Sequence, residues 1–264
     1  MDEVRKQRPV SSIGSKKKLI AFDLEGPLSP NDNAYELMAL FPQGERVFEV
    51  ISRYDDLLAL EGKEGYEPGD TLALIVPSLL HHAVTEADIR RLAEEASLTP
   101  GAQELVARLD SRGWGVFCIT TTYQPYARSM AQRLGIAWEN VASTSLGLDS
   151  LKRPTTQDSA VIEEIEKAIM GLRPGADDRE IKERLDQFFW SQVPGTALAQ
   201  AIGEVKPVGG GRKLEALNRF ARAQNQPLER WAVVGDSITD SKLLEAGVGA
   251  GGLALAFYAT EYAL

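Results

Sequence analysis

Five short β-type runs alternate with helical patterns along this 264-residue chain: KLIAFD (18–23), GWGVFCIT (113–120), NVAST (140–144), RWAVVGD (230–236) and GLALAF (252–257). Such alternation marks an α/β protein with a parallel sheet covered by helices. Between the runs, PYARSMAQRLG puts Ala127, Met130, Ala131 and Leu134 on one helical face and ends on Gly135, a C-terminal stop. RKLEALNRFARA aligns Leu214, Leu217 and Phe220 in the same way. Two long stretches break the rhythm. Residues 33–97 read as helical, with Ile89, Leu92, Ala93 and Ala96 on one face, and 149–205 holds two further amphipathic helices separated by the breaker RPGADD. Placed after the first and third runs, both are expected to sit as caps over the carboxyl edge of the sheet.

Bulk properties narrow the function. A formal charge of −9 disfavours a polyanionic partner, because phosphate backbones are held by basic surfaces, so nucleic acid is not expected. A small phosphorylated metabolite remains compatible, since a bound cation overrides global charge locally. The single cysteine, Cys118, excludes an intramolecular disulfide and a thiol zinc cluster, fits a reducing cytoplasm, and is expected in the core. The longest apolar run, GVGAGGLALAFYA, is shorter than the ~20 residues that span a bilayer, so no membrane insertion is expected. Residues 1–15 read as a solvated tail. Protein partners and oligomeric state are not legible.

In open α/β sheets ligands bind beyond the carboxyl ends of the strands. Here the first run ends in Asp23, followed by Glu25; the second ends in Thr120 and Thr121; the fourth leads into GDSITD with Asp236 and Asp240. Acids gathered at one edge repel each other in a partly desolvated pocket and require a cation. Oxygen ligands with room for water suit Mg²⁺, which commonly bridges carboxylates and a substrate phosphate. Neutralised in this way, one carboxylate can approach phosphorus as a nucleophile. A Thr120 hydroxyl would grip the phosphate, and Lys213 would offset the developing charge.

The ordered set DLEG (23–26), CITT (118–121), GGGRK (209–213) and VVGDSITD (233–240) resembles motifs I to IV of the haloacid dehalogenase superfamily. The resemblance covers a core made of 16–32, 98–148 and 206–264, with 33–97 and 149–205 as mainly helical cap insertions. It implies a Rossmann-like doubly wound parallel sheet and an Mg²⁺-dependent phosphomonoester hydrolase or phosphotransferase. By that resemblance Asp23 is the nucleophile that forms an aspartyl-phosphate, and Glu25 is the general acid and base whose backbone carbonyl also touches the metal. Thr120 is the phosphate-binding hydroxyl, helped by Gly26 and Thr121. Lys213 is the motif III lysine, with Lys206 upstream as its competitor. Asp236 is the metal ligand of motif IV, and Asp240 its supporting acid in the metal cluster.

Glu25 stands where the superfamily usually has a second Asp. DLEG in this place is similar to phosphoserine phosphatase-type transferases and to enolase-phosphatases, and a working acid at 25 argues against dehalogenation, because a halide leaves without a proton. DLEGPLSPNDNAYEL (23–37) is also similar, more faintly, to superfamily proteins named as accessory subunits of energy-converting hydrogenases, which makes a catalytically silent accessory or sensing subunit the alternative. A phospho-accepting receiver domain also uses an acidic pocket, but the insertions and the motif order speak against it.

Three other signals have plain readings. The G-x-G-x-x-G at Gly247, Gly249 and Gly252 follows a helix and precedes a strand, the reverse of a dinucleotide site. Gly209, Gly210 and Gly211 lack the Gly-Lys-Ser/Thr of a P-loop and read as a flexible approach to a helix. His81 and His82 read as exposed cap residues. The chain stops soon after GLALAF, where a superfamily core often continues, so a further segment is expected to be missing or supplied differently.

Overall fold

The computed structural model describes residues 17–173, 175 and 177–259; the tail reading of 1–15 falls outside them. All five runs form strands: β1 (Leu19–Phe22), β2 (Gly115–Tyr123), β3 (Val141–Thr144), β4 (Trp231–Gly235) and β5 (Leu253–Ala256). They make one parallel sheet in the order β3-β2-β1-β4-β5. The helices, in chain order, are α1 (Asn33–Met38), α2 (Gly44–Leu60), α3 (Thr71–Leu74), α4 (Val76–His81), α5 (Glu86–Glu95), α6 (Ala102–Ser111), α7 (Gln124–Leu134), α8 (Thr156–Met170), α9 (Asp178–Gln187), α10 (Ala197–Glu204), α11 (Gly211–Ala223) and α12 (Ser241–Gly249).

The period-2 pattern of β1 explains why helices cover both faces. Leu19 and Ala21 point to one side, where they join Phe117, Ile119, Trp231 and Val233 under Leu217 and Phe220 of α11 and Leu243 of α12. Ile20 and Phe22 point to the other, where they join Val116, Cys118, Ile89 of α5, Val106 of α6 and Met130 of α7. Strands apolar on both sides are what a doubly wound parallel sheet requires.

The first insertion divides. Its α5, a well-capped helix with a Thr85–Asp88 capping box, turns its Ile89 and Ala93 stripe inward beside the core helix α7, and Arg133 of α7 donates to the Ala93 carbonyl at 2.6 Å. The remainder packs with the second insertion. Arg53 of α2 grips Asp178 of α9 through two hydrogen bonds of 2.8 and 2.9 Å, and Tyr54 donates to Asp186 at 2.6 Å. His82 is half-buried rather than exposed: it stacks on Phe41 and meets Glu166 of α8 at 3.0 Å. Both histidines therefore help to join the two insertions.

The glycines of the 247–252 motif also have packing roles. A Cβ on Gly247 would lie 2.6 Å from a Val233 methyl, so glycine lets α12 approach the sheet, and Gly252 starts the turn into β5 against the Trp231 carbonyl.

Phe117 lies between Phe220 and Trp231, with ring centroids 4.9 and 4.8 Å away, and is fully buried. Phe117→Ala should therefore cost ~3–5 kcal/mol of unfolding free energy by urea titration. A loss under about 1 kcal/mol would show that this face does not hold the core.

Candidate active site

Strand register assembles the acids. Phe22 pairs with Val234 across β1 and β4, and the Asp23 amide continues that ladder to the Val234 carbonyl at 2.8 Å. Asp23 and Asp236 thus leave neighbouring strands one step apart. A Cβ on Gly26 would come within 2.1 Å of the Asp236 carboxylate, and Gly26 sits at φ 81, so only glycine fits where the loop after β1 crosses it. That loop is tight: Gly26 donates to the Ser29 carbonyl at 2.7 Å, and the Ser29 hydroxyl donates to Ser97 at 2.8 Å.

Asp23, Asp236 and Asp240 each present an oxygen within 4.8 Å of the others. Lys213, on the first turn of α11 and fully buried, donates from Nζ to Asp23 Oδ2 at 2.5 Å and to Asp240 Oδ1 at 2.7 Å. Lys206 is exposed, so the ammonium at the site is that of Lys213. Asp240 is spoken for on both oxygens, because Oδ2 accepts the Asp236 amide at 3.0 Å and that of Ser237 at 3.4 Å. It fixes the lysine and the loop after β4. Asp23 Oδ1 accepts the Leu24 amide at 2.7 Å, and each Asp23 oxygen keeps a further lone pair.

Three carboxylates face one ammonium, and the electrostatics follow. Burial, then the charge of Asp240, pushes Asp23 up to about 8 against the pull of Lys213. Burial and Asp240 push Asp236 up to about 6. Burial works against the Lys213 ammonium, yet Asp23 and Asp240 outweigh it and hold Lys213 above the usual lysine range. The group is short of positive charge, and its all-oxygen donor set fits a hard divalent cation between Asp23 and Asp236. Glu25 stands apart from this trio. Its Oε1 accepts the Asn33 amide at 2.7 Å, and removal from water followed by the Asp32 charge holds it well above the usual carboxylate range.

A cavity of about 340 Å³ opens onto Asp23, Glu25, Gly26, Thr121 and Asp236. Thr120 does not line it. Thr120, the expected gripping hydroxyl, lies inside β2, which runs on to Tyr123, carried by the β-branched TTT, with a register shift after Ile119. Thr120 is buried and its hydroxyl is engaged with Thr122 at 3.3 Å, which leaves Thr121 facing the cavity.

The segment 66–71 is the part that sequence reasoning missed. Asp55 of α2 accepts from the Tyr66 hydroxyl at 2.6 Å and from the Gly69 and Thr71 amides at 2.9 and 3.0 Å, holding this strap over the site. Glu67 accepts the Gly211 amide at the start of α11 and pairs with Lys242, while Asp70 pairs with Arg212. A Cβ on Gly209 would lie 2.0 Å from the Pro68 carbonyl, and one on Gly210 2.3 Å from the Glu67 carboxylate. The triple glycine therefore allows close approach of the strap rather than flexibility. A carboxylate at position 55, among the buried Ile51, Tyr54 and Leu58 of α2, was the available signal.

An Asp raised from 3.8 to about 8 binds a proton more tightly in the folded chain than in the unfolded one, so its contribution to stability is full below about 4 and lost as pH rises through 8. In chelator-treated protein, the unfolding free energy of the wild type minus that of Asp23→Asn should fall steadily from pH 4 to 8. A difference that stays flat or rises would contradict the charge imbalance.

No family model and no curated protein matches the sequence. Among solved structures, the chain is similar to gene product AF1437 from Archaeoglobus fulgidus, at 32% identity over 94% of this chain and 75% of that chain, with a TM-score of 0.82. It also shares its fold with a phospho-aspartyl intermediate analogue of phosphoserine phosphatase, at 20% identity, 93% and 88% coverage and a TM-score of 0.57. The HAD family hydrolase t0658 from Salmonella enterica serovar Typhi follows at 13% identity, 88% and 60% coverage and a TM-score of 0.55. The chain belongs to one family with the AF1437 gene product.

Proposed function

We propose that the protein is an Mg²⁺-dependent phosphomonoester hydrolase or phosphotransferase working through an aspartyl-phosphate on Asp23. The observation that carries this reading is the buried Lys213 ammonium bridging Asp23 and Asp240, with Asp23 and Asp236 lining the adjoining cavity. The Asp23 and Asp236 carboxylates, with the Glu25 backbone carbonyl, would hold the metal. Bound there, Mg²⁺ supplies Lewis-acid neutralisation of the phosphate and the acids together.

The residues then divide the work. A free lone pair of Asp23 attacks phosphorus while the bond from phosphorus to the ester oxygen breaks. Lys213, held rigidly by two carboxylates, keeps Asp23 aimed and offsets the charge on the transferring group. Glu25, whose carboxyl is held well above the usual carboxylate range by burial, gives its proton to the leaving oxygen. As a base it then takes a proton from water, or from an acceptor alcohol, which attacks the acyl-phosphate and frees Asp23. Thr121, on the cavity wall, faces the phosphate. A silent accessory role would leave Glu25, poised on the Asn33 amide at the cavity wall, without a task.

With p-nitrophenyl phosphate, turnover should require Mg²⁺. Asp23→Asn should lower kcat by at least ~10³-fold and Glu25→Gln by ~10²–10⁴-fold. Metal-independent turnover, or full activity of Asp23→Asn, would overturn the assignment.

A further inference from the structure

The wall of the cavity opposite the catalytic acids speaks to the substrate, an inference that rests on the phosphatase reading above. One stripe of α2 faces inward there, at positions 48, 52, 55 and 56, which share a helical face and present Phe48, Ser52, Asp55 and Asp56. Asp32 closes the side next to Glu25, and Leu72 lies on the strap side. No lysine, arginine or histidine lines the cavity among the described residues. Of the neighbouring cations, Lys213 is fully buried on Asp23 and Asp240 and Arg212 is held by Asp70, while Arg53, outside the lining, makes two short bonds to Asp178 and also pairs with Asp56 at 3.7 Å.

The two ends of the cavity therefore differ in the charge they accept. At the catalytic end, Lys213 and a divalent cation match a phosphate dianion. At the far end the leaving group meets Asp32, Asp55 and Asp56. Asp55 spends its hydrogen-bonding capacity on the strap and Asp56 pairs with Arg53, while Asp32, the exposed N-cap of α1, has no lysine or arginine beside it in the cavity. A carboxylate on the leaving group would be desolvated against like charges with no cationic side chain to receive it, and like-charge juxtaposition is strongly unfavourable. An ammonium would find opposite charges, and the Phe48 ring as a cation–π surface. The volume of about 340 Å³ suits a small metabolite rather than a polymer.

We propose that the substrate is the phosphate monoester of a small amino alcohol, an alkyl phosphate whose leaving group carries an ammonium and no carboxylate. Hydrolysis then balances as above: the phosphorus–oxygen bond breaks, the amino alcohol leaves with the proton from Glu25, and water restores that proton and carries off the phosphate.

Three probes of related size separate the possibilities: 2-aminoethyl phosphate, 2-hydroxyethyl phosphate and O-phosphoserine. Their kcat/KM values are measured with Mg²⁺ in the wild type, and their affinities by calorimetry in Asp23→Asn. The aminoethyl ester should exceed both others by at least ~10-fold in each readout, as expected for one charge-assisted contact. Asp32→Asn, which keeps a good helix N-cap for α1, should bring the aminoethyl to hydroxyethyl ratio toward one. An equal or reversed ratio in the wild type, or a preference for O-phosphoserine, overturns the inference while leaving the phosphatase reading intact. Selective binding of the aminoethyl ester without hydrolysis of any probe supports the inference and removes the phosphatase reading. Failure to bind any of the three overturns both.

Discussion

A buried ammonium between two carboxylates organises this molecule. Lys213 reaches from the first turn of α11 to Asp23 after β1 and to Asp240 after β4, and so ties the two central strand ends to a crossover helix. Buried ion pairs are costly to desolvate and stabilise a fold only when their remaining hydrogen bonds are met. Asp240 meets that condition, with its second oxygen on the Asp236 and Ser237 amides. Asp23 and Asp236 do not reach charge balance with one lysine, an imbalance that a divalent cation would relieve.

The strap over the cavity depends on the same helix. Glu67 caps the start of α11 at Gly211, and Asp70 pairs with Arg212, next to Lys213 in the chain. The cap insertion is thereby anchored where the helix that carries Lys213 begins. Glycine at 209–211 is a packing requirement: any side chain there would meet Pro68 or Glu67. The cavity wall formed by α2 and the strap therefore shares a scaffold with Lys213 and Asp23.

Much of the core was legible in the sequence because strand periodicity and strand-end chemistry are local signals. Every strand lies where its apolar run lies, and Asp23, Asp236, Asp240 and Lys213 meet because parallel register brings strand ends together. Where local signals run out, the reading shifted. Thr120 looked like the end of β2, but β-branched Thr121 and Thr122 extend the strand and reverse which hydroxyl faces the cavity. The role of Gly209–Gly211 depends on Pro68, more than a hundred residues earlier, and the position of α5 beside α7 depends on packing between segments that periodicity alone cannot pair. The acid-lined wall needed the three-dimensional meeting of Asp32 with Asp55 and Asp56.

The charge imbalance at Asp23 is tested most directly by the protons that leave when metal binds. Calorimetric titration of Mg²⁺ at pH 7, repeated in buffers of different ionisation enthalpy, reads that number. With Asp23 pushed up to about 8, binding should release roughly one proton, and the release should vanish in Asp23→Asn. Mg²⁺ binding with no proton release, or no Mg²⁺ binding at all, would contradict the account.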